Sequence, residues 1–416
     1  MISCVYSGSV FANNKAVVDS LHIVLNNAVD DDRVDVLNLL SEKSLFIDVE
    51  QAGRYAKVAA ELAHEISYSQ GEADGYINLA KYFVQSQLLD SATFAYLEAL
   101  VYYESTNRME ETAKLQDALG TVLLRDKRYS EALDYFVKGL LIRQELGLFQ
   151  GVASSYRNMG KVMELLNEPT QAMEYYLKSL ENINMEEDKN LLSDVYLNCG
   201  VVQYTLGDYR KANEYYSEAM IILIQNDNQE ALMNIYMHLG NLSIATNDLS
   251  AAIVYHNMSL DIAKELRDFS SISTTYVNLG DIYGNKLKEY EKAKEYLDKG
   301  ITIAKKVDNR YAENRAYKTM ANIFVAREKY KEAYNWEAKY SQLNDSLVKA
   351  EAAMQIEKSK QVLQMQRDKL KDNTVKINDS ALAIKTTDGR MTIVLWVAGV
   401  TIAILFLLLL RERSKF

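Results

Sequence analysis

A small residue returns every 40 positions along most of this chain. Gly120, Gly160, Gly200, Gly240 and Gly280 are spaced at 40; Ala80 precedes them in register and Ala321 follows with a slip of one. A second column stands twelve residues further on, at Ala52, Ala92, Ala132, Ala172, Ala212 and Ala252, then Ala293, one late, and Ala333. Two locked columns of this period mean a stacked repeat architecture, because one unit cannot bury its own apolar face and must lean on the next. The array is then one continuous body, whatever the length of 416 residues would suggest about domain number. Stacks of this kind act by presenting a surface, so the period weighs against catalysis.

Each unit reads as two helices. The first ends near Tyr156-Arg157-Asn158-Met159-Gly160 or Tyr276-Val277-Asn278-Leu279-Gly280, and the second opens at Gly207-Asp208-Tyr209 or Asn167-Glu168-Pro169. It continues through Ala172-Met173-Glu174-Tyr175-Tyr176 or Ala212-Asn213-Glu214-Tyr215-Tyr216. Pro169 is the single proline, placed where a helix can begin without losing a hydrogen bond. The small columns are expected where two helix backbones approach closely. The Leu and Met beside each Gly and the paired aromatics after each Ala fall at helical spacing and fill the space between neighbours.

The pattern aromatic-x-x-Leu-Gly followed by Tyr-x-x-Ala-x-x-Tyr-Tyr resembles the tetratricopeptide (TPR) repeat. The usual unit is about 34 residues; the longer unit here is similar to the TPR arrays of kinesin light chains and of bacterial peptide-sensing regulators. The expected fold is all-α: an α-solenoid of about eight TPR-like helix pairs over residues 33–343, with the extra residue of the seventh unit near Asn285 to Lys288. Residues 13–32 form an N-terminal lead-in helix.

Two residues before each Gly stands a polar column, Asn38, Asn78, Asn158, Asn198 and Asn278, with His238 in the sixth unit; Ala118 and Thr319 interrupt it. Two residues are about 200° around a helix, so these side chains point away from the Gly contact. Three residues later, beside that column, lie among others Lys81, Lys161 and Asn241. In TPR arrays the first helices line the concave surface. An Asn amide offers one acceptor and two donors and can pair with the backbone of an extended peptide. The resemblance to kinesin-light-chain-like TPRs implies that Asn38, Asn78, Asn158, Asn198, Asn278 and His238, with Lys81, Lys161 and Asn241, form a peptide-binding groove. The competing reading is that each Asn bonds the neighbouring repeat and sets the stacking angle.

No reaction centre emerges, and no cofactor or metal is expected. His22, His64, His238 and His256 lack the spacing of a helical zinc site; there is no P-loop, dinucleotide fingerprint or nucleophile elbow. Cys4 and Cys199, the only cysteines, exclude a disulfide framework and a cysteine metal site. A net charge of −10 argues against a nucleic-acid partner.

Residues 391–410, MTIVLWVAGVTIAILFLLLL, carry no charge and are bounded by Arg390 and Arg411. About 20 apolar residues span a bilayer as a helix, so one C-terminal transmembrane helix is expected, with residues 411–416 as a short basic tail. Residues 344–390 read as a helical stalk in which Ile356, Leu363, Leu370, Ile377 and Ile384 recur every seven positions, half of a coiled-coil seam that allows a weak homodimer. Residues 1–12 look like the end of a signal peptide. The layout resembles the sensory half of bacterial membrane-bound TPR signalling proteins without a kinase or DNA-binding output domain. The resulting expectation is a non-enzymatic, single-pass membrane-anchored scaffold. It binds a peptide or protein in its groove in signal sensing, with the array periplasmic or otherwise extracytoplasmic and the tail in the cytoplasm. The alternative is a tail-anchored adaptor whose array lies in the cytoplasm.

Overall fold

The computed structural model describes the backbone of residues 2–387 and the side-chain packing of residues 14–358 and 360. The expected membrane segment at 391–410 and the tail lie outside the described residues. Among those described, no helix is long and apolar enough to cross a membrane.

The described residues form 17 α-helices joined by short turns, with one π-helical segment and no strand. After α1 (Ile2–Leu25) come eight pairs. They are α2 (Asp30–Ser44) with α3 (Val49–Glu65), α4 (Ser69–Gln85) with α5 (Leu89–Ser105), α6 (Met109–Arg125) with α7 (Tyr129–Leu146), and α8 (Phe149–Leu165) with α9 (Pro169–Asn182). Then follow α10 (Lys189–Thr205) with α11 (Tyr209–Gln225), α12 (Gln229–Ala245) with α13 (Leu249–Leu266), α14 (Phe269–Asp281) with α15 (Tyr290–Lys306), and α16 (Arg310–Ala326) with α17 (Tyr330–Thr387). The solenoid of eight pairs is the one the period implies. The extra residue of the seventh unit is absorbed by a π-helical turn, Ile282–Lys286, the form in which α-helices commonly take an insertion.

The 40-residue unit is two halves of 20. Residues with positive φ recur at Gln87, Asn107, Lys127, Gly147 and Asn167, each closing a helix. At Lys127 the Arg128 N–H donates to the Leu123 carbonyl at 2.8 Å and the Lys127 N–H to Leu124 at 3.1 Å, a Schellman cap. Short turns of this kind at most junctions hold neighbouring helices antiparallel; the connection from α9 to α10 differs, leaving the helix with Ile183 extended.

The Gly column is small for a reason different from the one expected. A Cβ added to Gly120 would lie 2.6 Å from the Phe136 ring, one on Gly160 2.5 Å from Tyr176, and one on Gly200 2.4 Å from Tyr216. Backbone does not press on backbone at these positions; the glycine makes room for a large side chain four residues after the Ala column. Tyr176, Tyr216 and Phe136 are among the largest fully buried side chains, and burying one such ring contributes roughly 2–3 kcal/mol. His256 occupies this position over Gly240, and Leu297 over Gly280.

Successive first helices touch one another (α2 with α4, α8 with α10, α10 with α12, α14 with α16), while successive second helices make no comparable contact among the described residues. Helices that crowd on one side and separate on the other bend the stack, with the first helices on the inside.

The chain divides into two compact units, residues 1–358 and 359–416. The first extends past the expected end of the array at 343, and Leu347 is buried within it. In the expected stalk, Ile356 is exposed; the side chains of Leu363, Leu370, Ile377 and Ile384 lie outside the described residues.

Candidate peptide-binding groove

The polar column falls on the first helices, but its members do different work. Asn38 donates its amide to the Gly71 carbonyl at 3.0 Å. Asn78 donates to the Asn38 carbonyl at 3.1 Å and to its side-chain oxygen at 3.2 Å. Asn278, 1% exposed, accepts from Arg315 Nη1 at 2.7 Å. These three amides bond from one repeat to the next, as the stacking alternative has it. An unpaired buried amide would cost about 1–3 kcal/mol, so each holds its neighbour in register.

In the middle of the array the column is different. Asn158 is half-buried and Asn198 is buried, and neither makes a side-chain hydrogen bond among the described residues. His238 stacks on Tyr216 with ring centroids 5.5 Å apart, and burial lowers its pKa, so it stands neutral. Asn241 is half-buried. Lys161 pairs with Glu164 at 2.8 Å, and Glu164 accepts from the Tyr176 hydroxyl at 2.9 Å. Lys81 is half-buried near the start of the array, beside Lys43 and Arg125 in a depression of about 440 Å³. The nine candidates therefore do not converge on one point; Asn158, Lys161, Asn198, His238 and Asn241 lie together on α8, α10 and α12.

Two depressions open on the same helices, of about 700 Å³ and about 410 Å³, and none of these five residues lines either. They share Ser154, so they form one trough crossing α6 to α12. Arg157 and Leu197, which directly precede Asn158 and Asn198, line it. Arg157 Nε lies 3.3 Å from Asp194 Oδ2 on the next first helix, yet it is buried without a hydrogen bond.

Arg143 in α7 is 6% exposed, a role the residue pattern does not announce. Its guanidinium donates to both Asp117 oxygens at 3.1 and 2.7 Å, to Ser155 Oγ at 2.9 Å and to the Ala113 carbonyl at 3.2 Å. It lies against Gly151, where a Cβ would fall 2.4 Å from Arg143 Cδ, and beside Gly139. The signal in the sequence is these two glycines outside the 40-residue column. The network pins α6, α7 and α8 together at the wall of the trough, where Asp117 and Arg143 both appear. Among the described residues no group of carboxylates, histidines and cysteines could hold a metal ion. Cys199 is buried, and burial raises its thiol to about 12.

The MalT-like TPR region matches residues 159–414, and a tetratricopeptide-repeat profile matches residues 111–185. No functionally curated protein matches in sequence. Among solved structures, the apo form of the quorum sensor NprR from B. thuringiensis is similar at 13% identity and a TM-score of 0.62, over 82% of this chain and 99% of that one. A Rap protein complexed with competence and sporulation factor is similar at 16% identity and a TM-score of 0.54, over 82% of this chain and 94% of that one. The TPR-sensor protein of the signal transduction ATPases with numerous domains from Pyrococcus horikoshii is similar at 16% identity and a TM-score of 0.60, over 81% of this chain and 54% of that one. At these identities the structural likeness concerns the fold. With the profile covering more than half its length, the chain belongs to the tetratricopeptide-repeat family, in its MalT-like form.

Proposed function

We propose that this chain is a non-enzymatic binding module that receives an extended peptide or protein segment on the inner face of repeats three to six, along α6 to α12. The observation that carries this reading is the change in the polar column. The end positions Asn38, Asn78 and Asn278 spend their amides on neighbouring repeats, whereas among the described residues Asn158 and Asn198 make no side-chain hydrogen bond and Arg157 Nε, in the trough wall, has no hydrogen-bond partner. Such amides exchange water for the carbonyls and N–H groups of a peptide backbone. The named ligand of the Rap complex, competence and sporulation factor, supports a peptide or protein ligand for a solenoid of this shape.

The test is binding of a library of unstructured decapeptides to the full chain, read by fluorescence anisotropy. The N158A/N198A double variant weakens the bound peptides tenfold or more, while N78A lowers stability and leaves affinity unchanged. Equal affinity of the double variant and the parent would refute the groove.

The reading includes the membrane. The uncharged run at 391–410 anchors the module as a single pass, with the array on the extracytoplasmic side and the residues that follow the run in the cytoplasm, so the array senses and a partner or a further domain transmits. Protease added to spheroplasts degrades the array in this orientation. Protection of the array there, with cleavage after lysis, identifies the tail-anchored cytoplasmic adaptor instead.

A further inference from the structure

Pairs four to seven each bring two tyrosines together across the pair: Tyr156 with Tyr175 at 6.4 Å, Tyr196 with Tyr215 at 6.1 Å, Tyr236 with Tyr255 at 6.2 Å and Tyr276 with Tyr296 at 6.0 Å between ring centroids. Pair two keeps the first ring, Tyr76, but its second position is Ala95. An alanine side chain ends at Cβ, so the ring that the later pairs supply is missing here. Ala95 itself is 1% exposed, at the bottom of the gap, and the floor beside it is laid open. Leu79 is half-buried, whereas Leu119, Met159 and Leu239 at the same position are 0%, 4% and 2% exposed. Glu72 stands where Val152, Leu192 and Leu232 are buried apolar residues.

The result is a trough of about 1070 Å³ between α3 and α5, floored by α4, on the outer face and apart from the peptide groove. Its floor is apolar and aromatic: Tyr76, Leu79, Phe83 and Ala95, with Phe94 60% exposed at the edge. Its rim is acidic. Glu61, Glu65, Glu72, Asp90 and Glu98 line it, with Lys57 3.7 Å from Glu61, His64 Nδ1 3.0 Å from Glu72 and Arg128 3.9 Å from Asp90. Glu65 and Glu98 form no ion pair among the described residues.

We propose that this trough docks a segment of a partner protein bearing one aromatic side chain flanked by lysine or arginine. The aromatic side chain takes the place of the missing second tyrosine against Tyr76, in the geometry the later pairs already display. The flanking cations meet the carboxylate rim, which gives the recognition its charge and its salt dependence. The occupant is defined by shape on the floor and by sign on the rim, and an acidic or ring-free segment satisfies neither.

The test uses the full chain and synthetic dodecapeptides with one central residue (Trp, Tyr, Phe or Ala) between lysine/arginine flanks or between glutamate flanks, read by fluorescence anisotropy. Basic peptides with an aromatic centre bind at least tenfold tighter than the Ala-centred or glutamate-flanked ones. A95Y restores the stack seen in the other pairs, keeps the fold by circular dichroism, and abolishes the aromatic preference. E65Q/E98Q keeps the preference and flattens the salt dependence. N158A/N198A leaves this binding intact, which separates it from failure of the inner groove. The proposal is overturned if A95Y binds as the parent does, if the central residue has no effect, if no basic peptide binds, or if sedimentation shows the parent as a dimer that A95Y dissociates, since the trough would then hold a second copy of the chain.

Discussion

His256 replaces the aromatic residue that fills the glycine notch elsewhere, and it makes the sixth pair acid-sensitive. The imidazole is fully buried over Gly240, and neither ring nitrogen has a hydrogen-bond partner among the described residues. Burial, with the charge of Arg315 adding to it, lowers its pKa from 6.5 to about 4. The unfolded ring binds a proton below 6.5 while the folded ring refuses it until about 4, so stability is full above 6.5 and is lost as pH falls between those values. A separation of about 2.5 units at about 1.36 kcal/mol each makes the total loss roughly 3 kcal/mol, of which about 2 kcal/mol has gone by pH 5. His256→Phe removes the titration and suits the cradle, as Phe136 does over Gly120. Because an array of repeats can open piecewise, the appropriate assay is amide hydrogen exchange of α12 and α13 in parent and variant at matched pH. The variant gains protection at both pH values, and its advantage at pH 5 exceeds that at pH 7.5 by about 2 kcal/mol. An advantage equal at the two pH values, or a His256 ring that titrates near 6.5 by NMR, would refute the reasoning.

Three further outcomes follow from named contacts. Arg143→Met leaves Asp117 facing the cavity of a lost guanidinium and lowers stability by about 3–5 kcal/mol in urea unfolding; adding Asp117→Leu recovers part of that loss, since removing both charges of a buried pair costs less than removing one. Arg267→Gly relieves a left-handed residue at the end of α13, with φ of 57°, and raises the local stability of α13 by about 0.5–1 kcal/mol in hydrogen exchange. In a Cys4→Ser background, Cys199 reacts with iodoacetamide at pH 8 only as fast as the array opens, and denaturant restores the rate of a free thiol, because burial holds the thiol near 12.

Much of this molecule was legible before its structure. The Gly and Ala columns announce paired helices stacked in a solenoid, and the one-residue slip places the seventh unit's irregularity where the π-helical turn occurs. A period is a local property repeated, so sequence spacing carries it directly. The expected reason for the Gly column was less accurate, because a missing Cβ says that something comes close without saying whether it is backbone or the Phe136, Tyr176 or His256 ring.

The candidate site shows where reading residues in order stops being enough. Asn78, Asn158, Asn198 and Asn278 share one register and one face. What each amide finds there depends on residues about 40 positions away: Asn38 for Asn78, Arg315 for Asn278, and, among the described residues, no such partner for Asn158 or Asn198. Arg143 is a plain helix arginine until α6 and α8 close on it with Asp117, Ser155 and the Ala113 carbonyl. The alanine at position 95 is one more small residue until the ring pairs of the later repeats show what is missing beside Tyr76. Periodicity is enough to establish the class of fold, because helix spacing and small-residue columns repeat along the chain. Which amides remain free, which charge is buried and which slot stays open were decided only when neighbouring repeats met, because hydrogen-bond satisfaction and packing belong to pairs of residues brought together by the fold.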